Sequence, residues 1–389
     1  MSYSYRVSAI MVVSACALAA SAQATDPQSN QVTPDSSSPV AYVYVTRPTH
    51  IDGFAAAANG QLTAVPGSPY AGIGVNSLSV NTQFLFGGDD NGASIDTFKI
   101  ASNGSLEKVA SENTTVHNPD PQAPIGPIQI DSAGKTIYVE VVNSDTAGYI
   151  QSYKIESNGS LQYLGNVSED IYYGEEYPLG VNLEANDKFA YQGSNVDFDD
   201  TEDGGILIYK RGSNGLLENS TATANLPPTH GSEYVYTVDS LAMDPSNHMA
   251  AAIVPLDGEF SVLSNDVLAS YTIASNGDAT TSSTYKNMPV TDLFPVSETS
   301  ISPSGKLLAV GGQGFQVFHF NGSEPITHYS GLLQSGTYFL EFGWDKANHL
   351  YALGIGKLFV YTVTPTSITE APGSPYSIPE ASSVIVLSK

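Results

Sequence analysis

The sequence predicts an all-β protein, a β-propeller of seven blades with four antiparallel strands in each blade. The first observation behind this prediction is a phrase that recurs along the chain: an aromatic-rich strand, a Ser-Asn-Gly turn and a second short strand. Alternating apolar and polar residues on both sides of a turn that tolerates positive φ predict a β-hairpin. Repetition of one hairpin predicts a repeat architecture. The clearest copies span residues 95–109, 149–164, 206–220 and 268–282, and weaker ones begin near residues 52, 316 and 358.

The second observation gives the length of the repeat. The pentapeptide Pro-Gly-Ser-Pro-Tyr stands at residues 66–70 and again at residues 372–376, which is 306 residues later. Six steps between the two copies give 51 residues per step. A four-stranded propeller blade takes about 40 to 50 residues, whereas most solenoid repeats are shorter. The spacing therefore favours a propeller.

The third observation completes the blade and closes the ring. A second hairpin with a tight polar turn precedes each Ser-Asn-Gly phrase, so that one blade contains four successive strands. Six complete blades run from about residue 77 to residue 374. The first blade has only three strands, at residues 40–46, 51–58 and 61–65, while residues 382–388 form a strand with no partners of their own. If this last strand becomes the inner strand of the first blade, the ring closes without an exposed sheet edge.

Composition restricts the partners that the protein can have. The chain contains 14 Lys and Arg against 39 Asp and Glu, which gives a formal net charge of −25. Nucleic-acid binding needs basic patches for the phosphates, so we expect no nucleic-acid partner. Beyond the N-terminus no segment is long and apolar enough to span a membrane. We expect a monomer without a transmembrane segment.

The N-terminus predicts export. Residues 1–24 carry one charge, Arg6, a run of small apolar residues and the sequence Ala22-Gln23-Ala24, which is typical of a signal peptidase site. Residues 25–39 are predicted to form a disordered linker, and residues 40–389 the propeller. The predicted location is periplasmic or secreted. The alternative is a lipoprotein in which Cys16, the only cysteine, carries the lipid.

Two phrases carry a resemblance to a known family. Residues 59–70 have the pattern Asn-Gly-x-Leu-Thr-x-Val-Pro-Gly-Ser-Pro-aromatic, and residues 302–310 have the pattern Ser-Pro-Ser-Gly-Lys-x-Leu-x-Val. The chain resembles the seven-bladed lactonase family, which includes bacterial 6-phosphogluconolactonases and carboxymuconate lactonizing enzymes. The resemblance covers residues 40–389. Its motifs belong to the blade scaffold, so they indicate the fold better than the activity.

The resemblance also implies a catalytic pattern, and the sequence departs from it. In the lactonases, His and Arg at the mouths of successive inner strands and a Glu on an adjoining strand face a pocket in the central channel. The corresponding positions here are Gly126, Leu179, Gly180 and Asn195. None of these side chains has the acid–base chemistry that the pattern requires. A phosphorylated sugar is also a poor candidate ligand, because only two arginines follow the predicted signal peptide.

The predicted binding site lies on one face of the propeller. The turns that join first to second and third to fourth strands are short, whereas the loops that join second to third strands and successive blades are long. Both sets of long loops emerge on one side, here called the long-loop face, and the short turns emerge on the opposite turn face. Loops on a rigid scaffold are a common place for binding. His248 and His349, which stand in short turns, are expected to be exposed.

Aromatic residues on the long-loop face are candidates for contact with a small molecule, a carbohydrate or a protein partner. Tyrosine rings next to carboxylates provide contact area at little entropic cost. The alternative is that these rings pack between blades. The candidates are Tyr172, Tyr173, Glu176, Tyr177, His230 and Tyr234.

Two groups of carboxylates are further candidates. Glu298 and Glu341 each stand four residues before a turn, at Ser302 and Asp345. They are therefore expected together at the channel mouth, where paired carboxylates bind a cation or share a proton. Alternatively, each of them hydrogen-bonds the backbone of a neighbouring blade.

A calcium ion is the one metal that the sequence suggests. Asp197, Asp199 and Asp203 lie in an acidic loop whose oxygen spacing is similar to that of a calcium site. The glutamate expected at the twelfth position is replaced by Lys210, so the alternative is a solvated acidic hairpin tip. No other cofactor is expected.

The sequence predicts an exported, lactonase-like propeller that serves as a binding module through its long-loop face. The alternative function is that of a hydrolase that opens a small, sugar-type lactone ring, with Glu298 and Glu341 as its weak catalytic candidates.

Overall fold

The computed structural model describes residues 38–72, 75–89, 94–117, 125–141, 149–168, 184–186, 188–193, 205–231, 234–257 and 261–389. Within these ranges the chain is built from antiparallel strands and a single short 3-10 helix, Thr114–His117. The prediction of an all-β protein is confirmed. The predicted signal peptide and nearly all of the predicted linker, including Cys16, lie outside the described residues.

The first half of the chain forms three sheets. In each sheet, strands that follow one another in sequence are also neighbours, as a series of hairpins requires, except that the two-residue fourth strand of the first sheet pairs with its second strand. The strands are β1 (Ala41–Arg47), β2 (His50–Ala56), β3 (Leu62–Ala64) and β4 (Tyr70–Ala71); β5 (Val75–Val80), β6 (Phe84–Asp89), β7 (Ser94–Ile100) and β8 (Leu106–Asn113); and β9 (Ile125–Ile130), β10 (Thr136–Val141), β11 (Tyr149–Ile155) and β12 (Leu161–Ser168).

The second half continues this pattern. Its first two sheets contain β13 (Glu184–Ala185), β14 (Phe189–Gly193), β15 (Ile206–Arg211) and β16 (Leu217–Asn219), and then β17 (Tyr234–Met243), β18 (His248–Asp257), β19 (Val267–Ile273) and β20 (Ala279–Thr280). The last large sheet contains β21 (Glu298–Ile301), β22 (Leu307–His319), β23 (Thr327–His328), β24 (Leu333–Trp344), β25 (His349–Gly354), β26 (Lys357–Val363), β27 (Ile368–Glu370) and β28 (Tyr376–Ser377). The chain ends with β29 (Val384–Ser388).

The last strand pairs with the first one. β29 lies antiparallel to β1, with Ala41 opposite Ser388 and Val45 opposite Val384. The order of this sheet is therefore β29-β1-β2-β3, with β4 paired to β2. The Thr46 side chain extends the contact, because its oxygen accepts a hydrogen bond from the Ser383 N–H at 2.8 Å. The two ends of the described chain are thus joined in one sheet.

β22 differs from the expected pattern. The sequence predicts two strands with a loop between them, but residues Leu307–His319 form one continuous strand. Its pairing with β24 shifts register between Gln313 and Phe315, which is where the chain changes partner. Gly314 has a φ of +99°, a conformation that glycine adopts readily and other residues avoid. The glycine-rich segment therefore turns the strand without a separate loop.

The recurring Ser-Asn-Gly turn has a packing function. Tyr191, on the second strand of its sheet, donates a hydrogen bond from its hydroxyl to the carbonyl of Gly277 at 3.0 Å. Gly277 has a φ of +96°, and a Cβ atom at this position would lie 2.4 Å from Phe189. Only glycine fits both the turn and the close approach of the next sheet. Equivalent bonds join Tyr44 to Gly104 at 2.9 Å and Tyr138 to Gly215 at 3.1 Å.

His349 corrects an expectation about exposed turn histidines. Its ring is 1% exposed, and its Nδ1 lies 2.7 Å from the Asp345 carboxylate. Asp345 also accepts a hydrogen bond from the Tyr351 hydroxyl at 2.9 Å. The expectation was wrong because the turn folds back onto the core between sheets. His248, in the equivalent turn, keeps a side chain that is 26% exposed.

No helix in the described part of the chain is long and apolar enough to cross a membrane.

Candidate functional site

Most of the predicted ligand-contacting residues cannot be placed. Tyr172, Tyr173, Glu176 and Tyr177 lie outside the described residues, and so do the calcium candidates Asp197, Asp199 and Asp203. The backbone of Tyr234 begins β17 opposite Asp257. His230 is exposed, and its ring meets the edge of Tyr285 at a centroid distance of 4.7 Å.

Glu341 links β24 to β29. It lies in β24, where a register shift precedes it, and its Oε2 accepts a hydrogen bond from the Val384 N–H of β29 at 2.6 Å. This is the backbone contact that the alternative interpretation of Glu341 described. Glu298 begins β21 and stands opposite Gly311. Burial raises the pKa of Glu341 to about 7, although the Ser383 and Val384 donors lower it in part.

We expect Glu341→Gln to stabilise the protein in mildly alkaline buffer. Folding raises the pKa of this carboxyl, so the unfolded chain loses its proton first as the pH rises from about 4.5 to about 7. The folded wild type therefore becomes less stable over this interval, and the neutral amide avoids the loss. The expected gain in melting temperature is about 2–4 °C at about pH 8 and close to zero at about pH 5. If the melting temperatures of wild type and variant change with pH in parallel, the raised pKa of Glu341 is contradicted. The exposed Glu324→Gln serves as the control.

A second carboxylate pair was not identified from the sequence. Asp239 lies in β17 at a bulge between Val238 and Ser240, so it has no partner residue on β18. Bulges redirect side chains and are frequent near functional sites. Asp266 directly precedes β19 and is completely buried. The two carboxyl groups hydrogen-bond each other.

The pair must hold a proton. Asp266 Oδ2 accepts the Val296 N–H at 2.7 Å, and Oδ1 is buried. The hydrogen bond between the two acids lowers the pKa of Asp239 and raises that of Asp266, so Asp266 carries the shared proton and donates it to the Asp239 carboxylate. Burial raises the pKa of both acids, and the charge of Asp239 raises that of Asp266 further. Two facing carboxylates in a dry environment titrate as one unit. The geometry provides a proton that is retained at a higher pH than an isolated aspartate would allow.

Exposed apolar side chains occupy the segments that hold Asp266 in place. The Asp266 N–H donates to the Leu293 carbonyl at 3.4 Å, and its carbonyl accepts the Thr291 N–H at 2.8 Å. The same two segments expose four large apolar side chains, here called the apolar rim: Val262 45%, Leu263 44%, Val290 49% and Phe294 45%. Exposed apolar groups concentrated in one region are typical of interaction sites.

The sequence contained weak signals for this site. Asp239 interrupts an otherwise apolar and hydroxyl-rich strand, and Asp266 begins another, 27 residues later. A bulge changes which face a side chain occupies, and the alternation of residues does not reveal it. Within the described residues, no group of three or more His, Cys, Asp or Glu side chains is placed to hold a metal ion.

Comparisons with known proteins support the fold. No protein-family model matches the sequence, and no curated protein matches it. A periplasmic gluconolactonase from Pseudomonas aeruginosa, PpgL, is 12% identical, with a TM-score of 0.66 over 90% of this chain and 99% of that chain. A protein from Lactobacillus plantarum is 15% identical, with a TM-score of 0.64 over 90% of this chain and 100% of that chain. A proposed 6-phosphogluconolactonase from Bacteroides uniformis is 11% identical, with a TM-score of 0.60 over 89% of this chain and 99% of that chain.

These structures confirm the resemblance to lactonases at the level of the fold. The structural neighbours include a gluconolactonase and a proposed 6-phosphogluconolactonase, and the chain shares their arrangement of strands over nearly its whole length. At 11–12% identity such a likeness concerns the fold alone.

Proposed function

We propose that the protein is an exported seven-bladed propeller that binds a small polar molecule at its long-loop face. The Asp239–Asp266 pair is the observation that carries this proposal. The two acids share a proton, and the chain segments next to Asp266 carry the exposed side chains of the apolar rim. Small-molecule sites combine apolar walls with a few polar groups in this way. The periplasmic location of one structural neighbour supports export.

The seven-bladed ring in this proposal is supported by links between first strands. Ser77 Oγ accepts the Ile128 N–H at 2.8 Å, which joins β5 to β9. The Ser240 and Thr299 hydroxyls, 2.9 Å apart, join β17 to β21, and the Trp344 indole N–H donates to the Ser300 carbonyl at 3.2 Å. Glu341 then joins β24 to β29. These links favour a closed ring with β29 as the inner strand of the first blade.

Hydrolysis of a small lactone is the second candidate, and the same pair favours it. An ionised Asp239 accepts a proton from water as the water oxygen attacks the lactone carbonyl carbon. The ring C–O bond then breaks, and the protonated acid returns its proton to the leaving alkoxide oxygen, giving a hydroxy acid. Acid–base catalysis needs a carboxyl whose pKa lies near the working pH. The raised pKa values of this pair provide that condition.

Replacing Asp239 tests both candidates. Aldonolactones, the matching hydroxy acids and the parent sugars form the ligand panel for the mature protein, with calorimetry for binding and pH-stat for hydrolysis. In Asp239→Asn the amide oxygen accepts the hydrogen bond that Asp266 donates, so we expect the fold to persist. We expect at least tenfold weaker binding of the best ligand, and a hydrolytic rate, where present, lower by about a hundredfold or more.

An exposed glutamate provides the control for Asp239→Asn. Glu324→Gln changes an exposed carboxyl at a turn between the third and fourth strands of its blade, so we expect wild-type binding and rate. If the panel contains no ligand, or if Asp239→Asn binds and hydrolyses as the wild type does, the pair is part of the scaffold. The calcium loop, the tyrosine cluster and the monomeric state remain predictions.

A further inference from the structure

A cavity of about 770 Å³ opens on the turn face, opposite to the proposed site. Turns between first and second strands surround its mouth, including Asn186, Pro245, Asn247 and Pro303. Cavities of about 300–1,000 Å³ commonly hold small molecules. The cavity extends to the ends of the first strands, because Glu184 of β13 contributes to its wall.

The wall of the cavity combines apolar side chains with polar ones such as Ser132 and Ser302. Met243, Phe342, Trp344 and Val386 all line the cavity. The indole N–H of Trp344 already donates to the Ser300 carbonyl at 3.2 Å, so this residue offers the cavity its ring rather than a donor. These side chains offer a surface against which an apolar body can pack.

Glu184 and Asp244 are the acidic residues of this wall, and Asp244 already lies 3.0 Å from His248 Nδ1. Glu184 is half-buried by surface exposure, yet protein atoms closely surround its carboxyl, and burial raises its pKa to about 8. Gln129 Nε2 donates to its Oε2 at a long 3.5 Å, and the Met243 backbone provides a second donor. Within the described residues no Lys, Arg or His forms an ion pair with Glu184.

The other charged groups around Glu184 already have partners or lie at the rim. Asp131 pairs with Arg211 at 2.6 Å, and Asp244 lies 3.0 Å from His248 Nδ1. Lys188 is exposed at the mouth. Tyr191, opposite Glu184 on β14, is buried and donates to Gly277. A cation inside the cavity would therefore find Glu184 without competition from another ion pair.

We infer that this cavity binds an organic cation, a protonated amine on an apolar or aromatic body, with its ammonium group against Glu184. The apolar side chains of the wall receive the body, and the carboxylate receives the charge. The net charge of −25 raises the local concentration of cations around the protein. This site is independent of the one proposed on the long-loop face.

The inference requires a proton to leave the protein on binding. An ammonium ion favours the ionised form of Glu184, so a carboxyl that holds its proton near neutral pH releases it when the amine binds. The amine itself stays protonated. Below the raised pKa, affinity therefore increases about tenfold for each pH unit. Between about pH 6 and pH 7 this increase is measurable by calorimetry.

Phenethylamine and tryptamine are the probes, and phenethyl alcohol and 3-phenylpropionate are the neutral and anionic analogues of the first. We expect the amines to bind the unmodified mature protein at least tenfold more tightly than the analogues. Calorimetry in two buffers of different ionisation enthalpy should show proton release into solution. In Glu184→Gln we expect at least tenfold weaker amine binding and no dependence on pH, with Glu324→Gln unchanged.

Three outcomes would overturn the inference. The first is equal affinity for amine and alcohol, the second is absence of amine binding, and the third is wild-type affinity in a folded Glu184→Gln. The amine–alcohol comparison uses the unmodified protein, so it stays decisive if the variant fails to fold. Loss of lactone binding in Asp239→Asn has no bearing on this test, because the two sites lie on opposite faces.

Discussion

Truncation of the chain after Glu380 is expected to give a protein that aggregates or is rapidly digested by protease. The truncation removes β29 and exposes the edge of β1, whose side chains from Ala41 to Val45 are all buried. An open, apolar strand edge invites pairing with other chains. It also removes the Val384 N–H from the half-buried Glu341. Together these changes lower the free energy of unfolding by about 5 kcal/mol or more, which is comparable with the whole stability of many domains.

A chain that ends at Ser388 is the control for this truncation. It lacks only Lys389, whose N–H bonds the Val40 carbonyl at 2.9 Å and whose ammonium lies 4.3 Å from the Tyr42 ring centroid. We expect it to melt within about 2 °C of the full-length protein. Circular dichroism melts and limited proteolysis provide the measurement. A chain ending at Glu380 that melts like the full-length protein would rule out the closed ring.

Asp345→Ala is expected to cause the largest loss of stability from a single substitution. Asp345 is completely buried, and its carboxylate accepts hydrogen bonds from the Ala347 and His349 backbone N–H groups, both at 2.9 Å. Its other oxygen meets His349 Nδ1 and the Tyr351 hydroxyl. Alanine leaves these groups buried without a partner, which costs about 3–5 kcal/mol. The melting temperature should fall by about 6–15 °C.

The equivalent turn provides a matched control. Asp244 accepts the Ser246 and His248 N–H groups at 2.7 and 2.8 Å, but His248 is 26% exposed, so water can replace part of what is lost. We expect Asp244→Ala to lower the free energy of unfolding by about half as much as Asp345→Ala does. If the two variants lose equal stability, the burial of Asp345, His349 and Tyr351 makes no contribution of its own to the stability of the fold.

The pH dependence of Asp345→Ala follows from its carboxyl. Burial opposes ionisation, but the donors from His349 and Tyr351 prevail and hold the pKa of Asp345 below its usual 3.8. A lowered pKa stabilises the fold above the pKa of the unfolded chain, and this contribution is lost as the pH falls through the folded value. The difference between wild type and variant should therefore be largest above about pH 4 and shrink in stronger acid.

Local sequence patterns predicted the strands well because successive sheets repeat them. Alternation on both sides of the Ser-Asn-Gly turns identified hairpins such as β7–β8 and β19–β20, and the glycine at each turn is required by the neighbouring sheet. Residues 382–388 were expected to pair with the first strands, and Val384–Ser388 pairs with β1. β22 escaped prediction, because its glycine segment keeps the strand continuous where a loop was expected.

The candidate site was less accessible to sequence analysis. Asp239 and Asp266 meet because a bulge in β17 redirects one side chain and β19 places the other beside it. Both conditions are set by sheet register, which is a property of distant residues. The burial of His349 depends in the same way on a distant segment, because the turn at Gly60 packs against its ring. The sequence showed these residue types but not which of them would share an enclosed environment.

The titration of the Asp239 and Asp266 carboxyl carbons tests the central claim most directly. Carbon-13 NMR of the mature protein, with assignments from Asp239→Asn and Asp266→Asn, follows each carboxyl against pH, with and without the best ligand of the panel. We expect both signals to titrate above the ordinary aspartate range, as a coupled pair that retains one proton, and to shift when the ligand binds. Independent titrations near about pH 4, or signals that the ligand leaves unmoved, would contradict a binding site at this pair.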